Sequence, residues 1–271
     1  MRNNSEDTIS NRAETAVSVA GRGASSMAAP LFTVFASSAC IMVIELAAGR
    51  LVSSYLGQSL YTWTSIIGVI LAGIAIGNYA GGRIAARSFA RRTIAFQFVL
   101  AGILCLSTLA VNGLMGRAFT AVHVSWPIRI FVHIAFVFLL PSAALGSISP
   151  VIARRALECG LPHGRTVGNV YAWAIAGSIL GAFATGYYLL MVFGVSTIVA
   201  ISSCVLIAIG AIYAFGAFAR REAIAASASD DDSAVVFSGR GMALPIAALF
   251  EASMCVMALE VAAGRIMSRQ Y

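Results

Sequence analysis

A chain of 271 residues that is 59% hydrophobic and only 11% charged carries more apolar surface than a soluble fold of that size can hide. Soluble domains average about 25% charged residues, so lipid forms part of the solvent of this protein. The formal net charge of +7 does not mark a nucleic-acid binder, because the basic residues stand between apolar runs and form no continuous basic face.

Residues 1–29 are polar and mixed in charge. They read as a disordered cytoplasmic tail, because the apolar run that follows is too long for the core of a signal peptide. Crossing a hydrocarbon layer takes about 20 helical residues. Apolar runs of that length fall near 30–52, 60–82, 94–115, 128–151, 167–193 and 196–218. A seventh begins near 242. These are continuous apolar stretches, not the short alternating strands of a membrane barrel. The expected fold is therefore all-α: a polytopic transmembrane bundle of six helices (30–219), a cytoplasmic linker (220–241), and the first helix of a second repeat, apparently truncated (242–271).

All 18 basic residues are arginine, and their placement sets the expected orientation. The tail, the second, fourth and sixth loops together hold 13 of them, among them Arg83, Arg87, Arg91, Arg92, Arg154 and Arg155. Cytoplasmic loops carry the excess of basic residues. The N-terminus is therefore expected to be cytoplasmic, in the inner (plasma) membrane.

An internal repeat joins the two ends of the chain. Residues 35–50 read FASSACIMVIELAAGR and residues 250–265 read FEASMCVMALEVAAGR, with nine of sixteen positions identical. The offset of 215 residues spans six helices, so both copies point the same way across the membrane. Transporters built from two six-helix halves show such a parallel repeat.

The repeat carries the most conspicuous polar groups, Glu45 and Arg50, with Glu260 and Arg265 in the second copy. A carboxylate at mid-membrane costs about 2.5–3.5 kcal/mol on insertion scales and belongs opposite a partner or a wet cavity. Glu45 lies about 22 Å along a helix from Pro30, toward the outer edge of the hydrocarbon layer. It reads either as a cation or proton site or as a member of a structural ion pair. In the second helix, Gly73, Gly77 and Gly81 recur every four residues and allow close helix approach. Asn78 is the polar residue there expected to bond across an interface. Trp63 sits at the outer end, where aromatic side chains anchor the interface or line a site. In the fifth helix, Gly177 and Gly181 form another packing face, and Trp173 lies near the start. His133 is a candidate proton carrier or a satisfied structural group, and Pro141 is expected to kink its helix.

Signatures of soluble enzymes are missing: the chain has no P-loop, GxSxG, HExxH or dinucleotide fingerprint. Of the five cysteines, four lie in apolar runs and none has CxxC spacing, so no metal site is indicated. No cofactor is expected.

Two stretches, MVIELAAGRLVSSYLGQSLYTWTSIIGVILAGIAIGNYAGGRIAAR (42–87) and PVIARRALECGLPHGRTVGNVYAWAIAGSILGAFATGYYLLMVFG (150–194), carry a family likeness. The chain resembles the membrane domain of the spermidine-synthase-like integral membrane proteins, also labelled fused major-facilitator/spermidine synthase. Members show a glutamate and arginine closing the first helix, SLYTWTSIIG opening the second, and GGR-x-A-D-R ending it. Here Ala86 stands in place of that acidic residue, and Ala174-Ile175 replaces a polar pair after Tyr171-Ala172-Trp173. The resemblance implies a polyamine link, and for whole members an aminopropyltransferase domain of Rossmann-like fold. Nothing in 1–271 resembles that domain, so a fused or associated enzyme domain would be a separate part. Three functions follow as expectations: a transporter-like half binding or moving a small cationic solute such as a polyamine, a membrane scaffold for an enzyme domain, and a membrane-bound aminopropyltransferase whose catalytic part lies elsewhere. For the first, the candidate binding residues are Glu45, Arg50, Trp63, Asn78, Trp173, Glu260 and Arg265. The lipid bilayer is the partner common to all three, and nucleic acid is not expected.

Overall fold

In the computed structural model, each apolar run expected to cross the membrane between residues 30 and 218 is helical over nearly all of its described residues. The structure describes residues 3–87, 91–118, 125–157 and 163–215, together with positions 250, 251, 254, 255, 258 and 262. Two units are present, Met1–Ala228 and Ser229–Tyr271. The first unit holds α1 (Asn3–Leu56), α2 (Leu60–Arg87), α3 (Arg91–Ala118), α4 (Trp126–Gly146), α5 (Ile148–Leu157), α6 (His163–Ala184), a π-helical turn (Thr185–Leu189), α7 (Leu190–Val192) and α8 (Val195–Phe215). Helix α1 begins at Asn3, so the segment read as a tail is helical from there on.

Among the described residues, six stretches are long and apolar enough to cross a membrane: Pro30–Leu56, Leu60–Ala86, Arg92–Ala118, Trp126–Leu157, Thr166–Val192 and Val195–Phe215. The protein is thus a multi-pass, all-α membrane protein. The seventh expected helix lies largely outside the described residues. In the second unit, positions 250, 251, 254, 255, 258 and 262 are helical, with Phe250 and Met254 exposed.

Two of the spans are interrupted for identifiable reasons. Pro150 has no N–H to give to the carbonyl four residues back, so the fourth span breaks at Ser147 and restarts as α5 with that proline in its first turn. Ser147 Oγ donates to the Ala144 carbonyl at 2.7 Å and so supports the break. In the fifth span, Thr185 Oγ1 donates to the Gly181 carbonyl at 2.7 Å where the π-turn begins. Hydroxyls that bond back one turn bend a helix, and single π-turns accommodate such bends.

The spans pack chiefly in three pairs: first with fifth, second with fourth, third with sixth. Glycines make each pair close. Methyl groups placed on Gly73 of α2 would sit 2.6 Å from Ser142 Cβ of α4. On Gly181 of α6, one would sit 2.6 Å from the Ala39 carbonyl oxygen of α1. Gly102 of α3 faces Ser203 and Ile207 of α8, and Gly210 of α8 faces Ala95 and Val99 of α3. Exchanging spans 1–3 with spans 4–6 maps this set of pairs onto itself. The exchange also maps the next two contacts, α1 with α8 and α3 with α4, onto each other. Three spans are an odd number, so the two halves of this exchange run in opposite directions through the membrane. This is the pattern of an inverted repeat.

Candidate functional site

The Glu45 side chain emerges where α1, α2 and α4 meet. Glu45 is half-buried and lines a cleft with Ile41 and Ile44 of its own helix, Ile70 and Ile74 of α2, and Phe138, Pro141, Ser142 and Leu145 of α4. The cleft has room for about one water molecule. Its walls are aliphatic and aromatic except for the Glu45 carboxyl and the Ser142 hydroxyl. Pro141 removes the N–H that would bond the Val137 carbonyl, in the same turn of α4.

The height of this cleft follows from the spans themselves. The midpoint of Pro30–Leu56 is residue 43, that of Leu60–Ala86 is 73, and that of Trp126–Leu157 falls between 141 and 142. Glu45 is two residues past its midpoint, about 3 Å. Ile74 and Pro141 stand within one residue of theirs. The carboxyl therefore stands near the middle of the candidate span Pro30–Leu56, which runs on through LVSSYL to Leu56 instead of ending near residue 52.

The AAGR end of the repeat packs against the start of α2. Ala47 and Ala48 are fully buried. A methyl group on Gly49 would lie 3.3 Å from Trp63 Cη2, so the indole rests on the glycine. This contact brings Trp63 next to the turn that ends in Arg50, one turn beyond Glu45. Arg50 itself is exposed, and its carbonyl accepts from Ser53 Oγ at 2.8 Å. Trp63 remains 45% exposed.

The other candidates stand apart from the cleft. Trp173 meets Phe35 edge-on, with centroids 5.9 Å apart, ten residues before Glu45 on α1. Asn78 is exposed and makes no hydrogen bond among the described residues, contrary to the expected bond across an interface. The physical reason is rotational: Gly73, Gly77 and Gly81 turn one face of α2 to α4, and Asn78 lies about 100° from Gly77 around the helix. Arg83 Nη1 donates to Tyr79 Oη at 2.5 Å, with its guanidinium over that ring. Glu260 and Arg265 lie outside the described residues.

A second polar cluster joins α1, α3 and α4. Asn112 Nδ2 donates to the Leu51 carbonyl at 3.1 Å. The Asn112 Oδ1 atom is then the acceptor facing His133 Nε2 at 2.9 Å, which puts a proton on that ring nitrogen. His133 is fully enclosed, and the Tyr55 ring lies 6.3 Å from its imidazole. Asn112 was not among the residues singled out from sequence. Its signal was a lone amide inside an apolar run, VNGLMG, which must find partners in a membrane. Nearer the other end of α1, Thr33 and Tyr213 share a 2.9 Å hydrogen bond, and the Tyr213 ring stacks on Phe98 of α3.

Comparison with family models, with curated proteins and with solved structures returned no match to this chain.

Proposed function

We propose that this chain is a transporter-like six-helix half that binds a small cationic solute at Glu45. The observation that carries this reading is a carboxyl near the middle of its candidate span, in a cleft where three helices meet. Transport sites occupy that level, at the interface of inverted repeats, and membrane-embedded carboxylates serve ions and cationic solutes. The three-by-three exchange of the packing supports the same reading. On this proposal the arginine-rich loops lie in the cytoplasm of an inner (plasma) membrane protein, with the N-terminus on that side. The likeness to spermidine-synthase-like membrane proteins makes polyamines the first solutes to test. A polyamine is larger than the cleft as it stands, so the helices around Glu45 would have to part to admit one.

The test is a thermal-shift series on the purified, detergent-solubilised chain with putrescine, spermidine and spermine. A ligand at one hundred times its Kd adds about 2.7 kcal/mol of stability. The expected result is dose-dependent stabilisation by one amine, lost in Glu45→Gln. A folded sample that shifts with none of them overturns the reading. That outcome favours a scaffold that anchors an enzyme domain, a role suited to the His133–Asn112–Leu51 and Thr33–Tyr213 links, which tie helices together without lining the cleft.

A further inference from the structure

We infer that Arg129 and Trp126, at the start of α4, hold the phosphate of a phospholipid headgroup, in the leaflet where α1 and α3 end and α2 and α4 begin. The site is separate from Glu45 and does not depend on what that residue binds. Its first support is a missing counter-ion. Arg129 stands three residues inside the fourth span, about 4.5 Å from its end. An arginine at that level is costly unless its guanidinium is paired or reaches the interface. Among the described residues the guanidinium makes no hydrogen bond and no ion pair, and its Nε atom is enclosed without an acceptor. The spans supply no carboxylate at this end. Between residues 46 and 221 the only acidic residue is Glu158, which comes directly after the other end of the fourth span.

The second support is the shape of the donor. The Arg129 guanidinium lies over the Trp126 ring, 5.6 Å from its centroid. Contact with the ring uses the face of the guanidinium and leaves its terminal N–H groups, a planar fork that matches two oxygens of a phosphate. Side chains of a helix lean toward its N-terminus, so both groups lean toward the level where indoles meet headgroups. Trp126 is half-exposed there. One turn deeper, His133 is fully enclosed and held by Asn112, with the Tyr55 ring 6.3 Å from its imidazole. A ligand for Arg129 therefore has to come from the headgroup side. The third support is the surrounding charge. Arg117 lies in the last turn of α3, which packs on α4, so a second cation stands at the same end. Basic pockets between membrane helices bind lipid headgroups.

The experiment is native mass spectrometry of the full chain in detergent micelles supplied with phosphatidylglycerol or, in parallel, with diacylglycerol, which has the same chains and no phosphate. The expected result is retention of one phosphatidylglycerol and of no diacylglycerol. Arg129→Gln is expected to weaken retention about tenfold, the scale of one hydrogen bond to a charged group. Arg129→Lys keeps the charge but not the fork. It is expected to fall between the parent chain and Arg129→Gln, and it keeps the comparison available if the glutamine variant does not fold. Arg83→Gln, at the other end of the bundle, is expected to bind as the parent does. Equal retention of both lipids overturns the proposal, as does a loss in neither Arg129 variant or an equal loss in Arg83→Gln. Inorganic phosphate offers the same chemistry in soluble form. A rise in unfolding temperature with inorganic phosphate, beside no retained lipid, makes this a site for a soluble anion and overturns the lipid.

Discussion

Replacing Gly73 by alanine tests the central packing claim, because the structure gives both the clash and its control on one helix. A methyl group at Gly73 would stand 2.6 Å from Ser142 Cβ and 2.9 Å from the Leu139 carbonyl oxygen. Ordinary carbon contacts lie near 3.5–4.0 Å, so α2 and α4 must separate by about 1 Å. Neither neighbour is the far end of a flexible side chain, and overpacking of this kind costs about 1–3 kcal/mol. The substitution also stiffens the helix, which favours alanine over glycine by about 0.8–1.0 kcal/mol. Gly68 lies on the same helix with no heavy atom within 4 Å of the added methyl. Gly68→Ala therefore gains the propensity term without the clash. The difference between the two variants isolates packing and is expected to be about 1–3 kcal/mol, with Gly73→Ala the less stable. Thermal unfolding of both variants in the same detergent, followed by circular dichroism, measures it. Equal stability would refute the claim that Gly73 seats α2 directly on the backbone of α4.

Two further substitutions probe the polar links and the repeat. Asn112→Ala takes one donor from the Leu51 carbonyl and leaves the buried His133 Nε2 proton without its acceptor, at a cost of about 1–3 kcal/mol. A double-mutant cycle with His133→Ala should return a coupling of about 0.6–1.7 kcal/mol, the range for hydrogen bonds between membrane helices, and strict additivity would show that the pair contributes nothing. Gly49→Val pushes against Trp63 Cη2, already 3.3 Å from the position of the first added carbon. The substitution is expected to shift the emission of Trp63 in a variant with Trp126 and Trp173 replaced by phenylalanine, and an unchanged spectrum would mean that the indole does not rest on that glycine.

Hydropathy made the spans legible in the sequence, because twenty consecutive apolar residues have few other uses. What the sequence left open was which surfaces meet. Gly73, Gly77 and Gly81 announced a packing face, yet nothing in their spacing names α4 as the partner, since any helix with small residues fits such a stripe. Asn78 shows the converse error: an amide on an apolar helix suggests a partner, but its direction is set by the glycines beside it, which claim the buried face for themselves. Asn112 went unremarked because its partners, His133 and the Leu51 carbonyl, are 21 and 61 residues away. The π-turn at Thr185–Leu189 left no mark beyond a threonine one turn after a glycine.

The repeat gains a sharper meaning from the structure of its first copy. In α1 the residues that recur in the second copy include Glu45 in the cleft, Ala48 in the core shared with α2 and α4, and Gly49 under Trp63. At Ala39, by contrast, where the α6 backbone comes closest through Gly181, the second copy has Met254. A long side chain at the corresponding place would hold a neighbouring helix further off than alanine does. Of the three α1 residues in the cleft, Glu45 recurs as Glu260, whereas Ile41 and Ile44 are replaced by the similar aliphatic Val256 and Leu259; on the α6 side Phe35 recurs as Phe250 and Ala39 does not recur. A helix that merely crosses the membrane has no need of a carboxylate, which costs about 2.5–3.5 kcal/mol at mid-membrane on insertion scales, yet both copies carry one at the same place, which is why Glu45, and not the glycine stripes, is the place to look for function.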